Sequence, residues 1–334
     1  MARGGWTRSG SRGRFRYVDG RGQRITDPAK LARIEALKIP PAWRDVRISP
    51  RSSAKLQATG YDKAGRKQYL YHEDFRAAQE QAKFDKLVRF GESLPVMRTQ
   101  LAADLDAEPL SRAWTCAVAV RLVNLTWFRP GDDRYTASYG VTTLRKSHVK
   151  ITRNKITFGF RAKHGVRVRT VLVDDELAQA LRRLLAVPGG RRLFRFEEDG
   201  ERLDLTARRL NEYIQATMGE DFSVKDFRTW GGTLLAAIAL AERGPADTEP
   251  QAKRAVAAAC RSVAELLGNT PAVCRASYIS PAVVEQYLEG RTIDTFRRRH
   301  LRVVGARDVG LEPEEQALLT LLRSWRMRRA REAA

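Results

Sequence analysis

The spacing of apolar and polar positions changes along this chain. Residues 14–26, 39–50 and 56–72 alternate between polar and apolar side chains around Gly-, Pro- and Asp-containing turns, which is typical of short strands. From His72 onwards, apolar residues recur every three or four positions, and this spacing predicts helices. The change predicts two domains: a small, basic, β-rich domain over 1–78 and a larger, mainly helical domain over 79–334.

Apolar periodicity and capping residues predict the helices of the larger domain. These helices are expected at 72–91, 93–106, 109–128, 175–186, 206–218, 224–243, about 252–267, 281–290 and about 312–331. One further helix, beginning at residue 28, is expected in the smaller domain. The segments HVKI, KITFGF and VRVRTVLV interrupt this pattern at 148–173 and predict a three-stranded antiparallel sheet. The expected fold class is therefore α+β.

The charge balance identifies a class of partner. The chain has 61 Lys and Arg residues against 39 Asp and Glu residues, a net charge of +22, and seven arginines lie in residues 1–24. Such an excess indicates a polyanionic partner, most simply nucleic acid, with residues 1–24 as a basic arm that is partly ordered. The charge alone also fits a generally basic or ribosome-associated protein.

The sequence disfavours metal-binding, nucleotide-binding and membrane proteins, because it lacks the motifs typical of each. The three cysteines are scattered, the four histidines lack metal-ligand spacing, and there is no GxxxxGK[ST] motif. No apolar run approaches membrane-spanning length, and no apolar leader precedes a cleavage site. We therefore expect an intracellular, cytoplasmic protein with no metal, nucleotide or other cofactor and no membrane association.

A tyrosine in the segment LGNTPAVCRASYISP, Tyr278, is the first candidate for chemistry. A phenol has a pKa near 10, so it needs cations or hydrogen-bond donors around it to act as a nucleophile. Fixed arginines and a lysine would suit attack on a phosphodiester. Each available residue also has a simpler interpretation: Tyr278 as core, Arg129 as a helix-end charge, Lys163 as an exposed charge, and Arg228 as a structural ion pair.

The order of the motifs favours the chemical interpretation. RPGDDRY, YGVTTLRKSHV, FRAKHG, KDFRTWGG and LGNTPAVCRASY follow one another, after IPPAWRDVRIS and ATGYDKAGRKQYLYHEDF. Together they resemble the small bacterial and poxvirus-like type IB DNA topoisomerases over about residues 25–300. The resemblance implies two domains that clamp double-stranded DNA and a monomer associated with the nucleoid. It also implies relaxation of both signs of supercoil through a 3′-phosphotyrosyl intermediate, without ATP or a required metal.

The resemblance also assigns roles to residues. Tyr278 matches the nucleophile, Arg129 and Arg228 match the arginines that stabilise the transition state, and Lys163 matches the general acid. Asn269 occupies a position that is histidine in the eukaryotic and poxviral enzymes, where an amide can still donate a hydrogen bond to a phosphate oxygen. In the smaller domain, the expected DNA contacts are Arg66, Lys67, Gln68, Tyr69 and Tyr71.

The motif around Arg129 departs from the family pattern. Pro130 lies inside RPGDDRYTASYG, which is about three residues short, so the presentation of Arg129 is the open point of this assignment.

Two other functions remain open at this stage. A tyrosine recombinase uses the same attack, but recombinases usually have H-x-x-R where this chain has Lys225 to Arg228, and their N-terminal domains are typically helical. A non-catalytic basic DNA-binding protein could retain the fold, although the full set of Arg, Lys, Arg, Asn and Tyr argues against it.

Overall fold

The computed structural model of the chain describes residues 5–11, 14–134, 137–297 and 310–332. The chain divides into two compact units, Met1–Lys83 and Phe84–Ala334, a few residues after the predicted boundary at 78. The first is β-rich and the second is mainly helical with small antiparallel sheets, which confirms the predicted α+β class.

The first unit is a five-stranded antiparallel sheet with one helix. The strand order is β2-β1-β3-β4-β5. The elements are β1 Trp6–Ser9, β2 Arg16–Val18, α1 Pro28–Ala36, β3 Arg44–Ile48, β4 Leu56–Tyr61 and β5 Lys67–Tyr71. As the sequence predicted, Asp27 caps α1 by accepting hydrogen bonds from the N–H groups of Ala29 and Lys30, and Pro28 is the first helical residue.

Strand pairing separates the two faces of this sheet. Trp6, Ile48, Ala58 and Leu70 are aligned across four neighbouring strands, and they pack together with Ile34 of α1 in one apolar core. Because side chains alternate along a strand, the adjacent row lies on the opposite face. That outward row, Thr7, Arg47, Thr59 and Tyr69, is aligned by the same pairing.

The predicted N-terminal arm is partly built into this sheet. β1 pairs with both β2 and β3, and Arg8 of β1 donates hydrogen bonds to the carbonyls of Pro40 and Trp43 at 3.0 and 2.8 Å. Residues 1–4 and 12–13 of the arm lie outside the described residues.

The second unit contains nearly all the remaining elements, and α2 runs from the first unit into it. They are α2 Glu73–Leu105, α3 Arg112–Thr126, β6 Val149–Thr152, β7 Lys155–Arg161, β8 Arg167–Val173, α4 Asp175–Ala186, β9 Arg195–Glu198, β10 Glu201–Asp204, α5 Ala207–Met218, α6 Val224–Ala241, α7 Glu249–Leu267, α8 Pro271–Ser277, α9 Pro281–Leu288 and α10 Pro313–Glu332. β6, β7 and β8 form the predicted three-stranded antiparallel sheet. β9 and β10 form a hairpin that the sequence analysis did not predict.

The prediction of two helices at 72–91 and 93–106 was wrong, because α2 is continuous. Gly91 is not a helix end but a point of close packing: a Cβ there would lie 2.5 Å from the Trp230 ring. Pro95 also lies inside α2. It removes the backbone hydrogen bond to the Gly91 carbonyl, a loss that the packed surroundings tolerate.

The segment after Gly268 contains a short helix that the sequence did not predict. Gly268 does end α7, with a φ of 60°, but Thr270 then caps α8 by accepting from the N–H of Val273. Pro271 opens this helix in the same way as Pro28 opens α1. A short helix therefore connects Asn269 to Tyr278.

The predicted C-terminal helix is α10, which packs against α6 and α9. Its Glu315 is buried and accepts hydrogen bonds from Arg98 at 2.9 Å and from the indole N–H of Trp230 at 3.3 Å. Trp325 donates to Glu285 of α9 at 2.7 Å. These bonds connect α10 to α2, α6 and α9.

Candidate active site

One open cavity collects four of the five residues predicted for catalysis. It has a volume of about 420 Å³ and is lined by Arg129, Pro130, Gly131, Asp132, Arg134, Ser138, Tyr139, Lys163, Lys225, Arg228 and Tyr278. These residues come from the segment after α3, the β7–β8 turn, α6 and the end of α8. The fifth residue, Asn269, contacts one of the cavity arginines directly.

Tyr278 lies at the C-terminal end of α8 with its side chain half-buried. Its N–H donates to the carbonyl of Cys274 at 2.9 Å, and its own carbonyl accepts from the Thr233 hydroxyl of α6 at 3.0 Å. The same hydroxyl accepts from the N–H of Ser280 at 3.1 Å. Thr233 thus fixes the backbone on both sides of Ile279 and sets the position of the phenol.

Arg228 is the buried cation of the site. Only 3% of it is exposed, and its guanidinium donates to the carbonyls of Trp127 and, at 3.0 Å, Leu267. Its Cζ lies 5.0 Å from the centre of the Tyr278 ring. Burial lowers the pKa of Arg228, the charge interaction with Tyr278 opposes this shift, and Arg129 adds to it. Nε has no hydrogen-bond partner among the described residues, which leaves one buried donor to satisfy.

The backbone of Arg129 is held by the GVTT segment of the YGVTTL motif. The Arg129 carbonyl accepts from the N–H of Val141 at 2.8 Å, and the Pro130 carbonyl accepts from both the N–H and the hydroxyl of Thr142 at 2.8 Å. Gly140 must be glycine, since a Cβ there would lie 2.4 Å from the Arg129 carbonyl oxygen. Pro130 lines the cavity without displacing Arg129 from it.

The orientation of the Asn269 amide is fixed by its two partners. Its Oδ1 accepts from the Arg129 guanidinium at 2.5 Å, and its Nδ2 donates to the Leu267 carbonyl at 3.2 Å. The opposite orientation would place an amide donor against a guanidinium and an amide oxygen against a carbonyl. Asn269 therefore holds Arg129, and one N–H of its amide is left for another acceptor.

Lys163 lies in the turn between β7 and β8, and its side chain is exposed. Asp132 lines the same cavity and receives the Arg134 guanidinium at 2.7 Å. The hydrogen bond from Arg134, with a smaller contribution from the charge of Lys163, lowers the pKa of Asp132 below its usual range. The cavity is therefore lined by an exposed cation, Lys163, and a buried one, Arg228.

Two glycines of α6 let the site assemble, and the sequence analysis did not single them out. A Cβ on Gly231 would lie 2.1 Å from the indole nitrogen of Trp127, two residues before Arg129. A Cβ on Gly232 would lie 2.8 Å from the Tyr278 carbonyl oxygen and 3.0 Å from the Tyr278 Cβ. The GG pair that follows Trp230 in KDFRTWGG was the available signal.

The residues predicted to contact DNA lie at one end of the sheet in the first unit. Tyr69 and Tyr71 are 49% and 40% exposed, with ring centroids 6.3 Å apart. Gln68 lies on the opposite face of β5, and its amide donates to Asp62 at 3.0 Å. Arg66 donates to the same carboxylate at 2.8 Å. The two tyrosines share the outward face with Lys67, whose Nζ is 5.8 Å from the Tyr69 ring.

Two other structural properties bear on function. Among the described residues, no group of three or more His, Cys, Asp or Glu side chains is placed to hold a metal ion. No helix in the described part of the chain is long and apolar enough to cross a membrane.

Comparison with known proteins agrees with the geometry of the site. Residues 72–298 match the family described as eukaryotic DNA topoisomerase I, catalytic core, and residues 14–62 match the bacterial DNA topoisomerase IB N-terminal domain. The DNA topoisomerase 1B of Acanthamoeba polyphaga mimivirus is 32% identical over 292 residues, which cover 84% of this chain and 86% of the relative. The monkeypox virus DNA topoisomerase I and the vaccinia virus (strain Copenhagen) DNA topoisomerase 1B are each 21% identical over 275 residues, or 79% of this chain and 84% of theirs. The catalytic-core match spans more than half of the 334 residues, and the chain belongs to the type IB DNA topoisomerases, enzymes that act on DNA.

Proposed function

We propose that this chain relaxes positive and negative supercoils by cutting one strand of duplex DNA with Tyr278, allowing rotation, and resealing the strand. The observation that carries this proposal is the convergence of Tyr278, Arg129, Arg228 and Lys163 on one cavity. A tyrosine surrounded by three cations is the arrangement that attack on a phosphodiester requires.

In this reaction the Tyr278 oxygen forms a bond to the scissile phosphorus, and the bond from phosphorus to the 5′ oxygen breaks. The phenol proton leaves to solvent, and Lys163 protonates the departing 5′ oxygen. The 3′ phosphate is then joined to Tyr278. Religation is the reverse attack by the 5′ hydroxyl. Because the phosphotyrosyl bond retains the energy of the phosphodiester, the cycle needs no ATP.

The two arginines are assigned to the charge that develops on the non-bridging oxygens. Arg228 lines the cavity, and two backbone carbonyls fix its guanidinium, so its positive charge is held in place beside the Tyr278 ring. Arg129 is oriented by Asn269 at 2.5 Å. We assign the remaining amide N–H of Asn269 to a phosphate oxygen, so that this residue acts both through Arg129 and directly.

The first domain, residues 1–78 by our prediction, is assigned to DNA binding through Arg66, Lys67, Gln68, Tyr69 and Tyr71. Arg66 and Gln68 both donate to the Asp62 carboxylate. To bind DNA, each side chain must therefore leave Asp62 or use its remaining N–H donors. The protein is proposed to act as a monomer on nucleoid DNA in the cytoplasm, with no nucleotide cofactor.

The test of this function is relaxation of negatively and positively supercoiled plasmid in EDTA without ATP. We expect relaxation of both, with product topoisomers that differ from one another by single linking numbers, since one strand is cut at a time. A requirement for ATP or a divalent ion, or relaxation of only one sign, would contradict the proposal. Strand exchange between two paired duplexes, without relaxation, would instead indicate the recombinase function.

A substitution at Gly232 is expected to impair catalysis through the position of Tyr278. In Gly232→Ala the new methyl group meets the Tyr278 backbone at 2.8 Å, so α8 must shift by a few tenths of an ångström. Misplacement of a reacting group by about 1 Å can cost about 100-fold in rate, so we expect a loss of about tenfold or more in single-turnover cleavage.

The matched control is Gly159→Ala. No atom lies within 4 Å of a Cβ at this position, and the backbone is not left-handed. We expect it to cleave at the wild-type rate. Equal rates for both variants would show that the close approach of α6 and Tyr278 is not required.

A further inference from the structure

The outward face of the five-stranded sheet has an arginine on its central strand, Arg47, to which the family resemblance assigned no role. We propose that Arg47 reads a guanine base edge in the major groove and sets the cleavage-site preference of the enzyme. This inference rests on the proposed function, because it concerns where on DNA the first unit binds.

Strand pairing places Arg47 in the middle of an outward row. It pairs with Thr7 of β1 on one side and with Thr59 of β4 on the other, and Thr59 in turn pairs with Tyr69 of β5. Only 6% of Thr59 is exposed, although it lies on the outward face, because it is short and stands between two long neighbours. The two long side chains, Arg47 and Tyr69, therefore project from the sheet on either side of the short side chain of Thr59.

The Arg47 side chain is available for a ligand. It is exposed, and it makes no hydrogen bond or ion pair with any residue that the structure describes. The other arginines of this unit that have structural roles differ in this respect. Arg8 donates to the Trp43 carbonyl at 2.8 Å, and Arg33 donates to Gln57 at 2.7 Å. Nothing in the described fold accounts for an arginine at position 47.

The dimensions favour a base contact over a phosphate contact. Neighbouring strands are about 4.8 Å apart, so Arg47 and Tyr69 stand roughly 10 Å apart, which fits the major groove, about 12 Å wide. When a β surface enters this groove, its central side chains face base edges and its rim side chains face phosphates. Arg47 is on the third strand of five, with the Tyr69 and Tyr71 pair to one side. A guanidinium in that place suits the two acceptors of guanine, N7 and O6.

The experiment compares Arg47→Ala, Arg47→Lys and Lys30→Ala. Lys30 is the charge-matched control in the same unit, because it lies on α1, the helix that covers the opposite face of the sheet. Each protein cleaves a pool of duplexes randomised upstream of the scissile phosphate, and sequencing reads the preference. Binding to a preferred and a scrambled duplex is measured at several salt concentrations in a Tyr278→Phe background, where no cleavage interferes.

We expect a guanine preference at one position in the wild type and in Lys30→Ala. In Arg47→Ala this preference falls by about five- to hundredfold, the range for loss of one bidentate base contact. Arg47→Lys keeps the charge, and with it the salt dependence, but also loses the preference, because an ammonium lacks the planar fork.

Other outcomes overturn the proposal. If both variants keep the wild-type preference, Arg47 does not read a base. If Arg47→Ala weakens binding to all sequences equally and lowers the salt slope by about one, Arg47 contacts a phosphate. Thermal unfolding of each variant separates either result from misfolding. If the variants relax plasmid but keep the preference, only this inference fails, whereas failure of the wild type to relax plasmid refutes the proposed function.

Discussion

Tyr278→Phe should bind DNA with wild-type affinity but neither relax plasmid nor form a covalent adduct. The substitution removes one oxygen, and the ring still fits beside Arg228, whose Cζ is 5.0 Å from its centre. The backbone of residue 278 remains fixed by Thr233 and Cys274. Without the oxygen no bond to phosphorus can form, so both relaxation and adduct formation should fall below the detection limit.

Tyr213→Phe is the control for loss of a phenol elsewhere in the same unit. The Tyr213 hydroxyl donates to Asp104 at 2.6 Å, and neither residue lines the cavity. This variant should lose about 1.5–3 kcal/mol of stability, the value of a hydrogen bond to a charged group, and should still form the adduct. If Tyr278→Phe retained adduct formation, or if Tyr213→Phe lost it while folded, Tyr278 would not be the nucleophile.

The second large effect is expected for Lys163→Ala. Proton donation by a positioned side chain contributes about 10²- to 10⁴-fold, so cleavage of ordinary DNA should slow by that factor. The side chain is exposed in the β7–β8 turn, so its removal should leave the fold and the stability unchanged.

A substrate with sulfur in place of the bridging 5′ oxygen identifies the cause. A thiolate leaves without protonation, since a thiol has a pKa near 8.5, so Lys163→Ala should cleave this substrate at nearly the wild-type rate. Arg228→Ala provides the contrast. It should lose about 10²- to 10³-fold on both substrates, because it removes a donor to the non-bridging oxygens. A Lys163→Ala defect that sulfur does not restore would exclude this residue as the general acid.

The sequence predicted elements whose signals are local. The Asp27–Pro28 start of α1 and the strands of 148–173 depend on caps, turns and alternation within a few residues. The motif order predicted which side chains meet in the cavity, and the comparisons confirm the family. The catalytic roles themselves remain predictions.

The errors arose where distant residues decide local structure. Glycine commonly ends helices, but at position 91 the absence of a side chain makes room for the Trp230 ring of α6. The helix α8 was missed because its seven residues are too few for a periodic pattern. Likewise, the sequence places Asn269 near Tyr278 but cannot show that its amide oxygen faces Arg129, since the partner is 140 positions away. These contacts exist only after the chain is packed.

The covalent attachment itself is the most direct test of the central claim. A duplex with a 5′-bridging sulfur at one site traps the enzyme on DNA, and digestion of the adduct allows the linked peptide and the labelled strand to be identified. We predict that the DNA is joined to Tyr278 and that the attached end is the 3′ phosphate. Attachment through another residue, or through a 5′ phosphate, would contradict this account of the site.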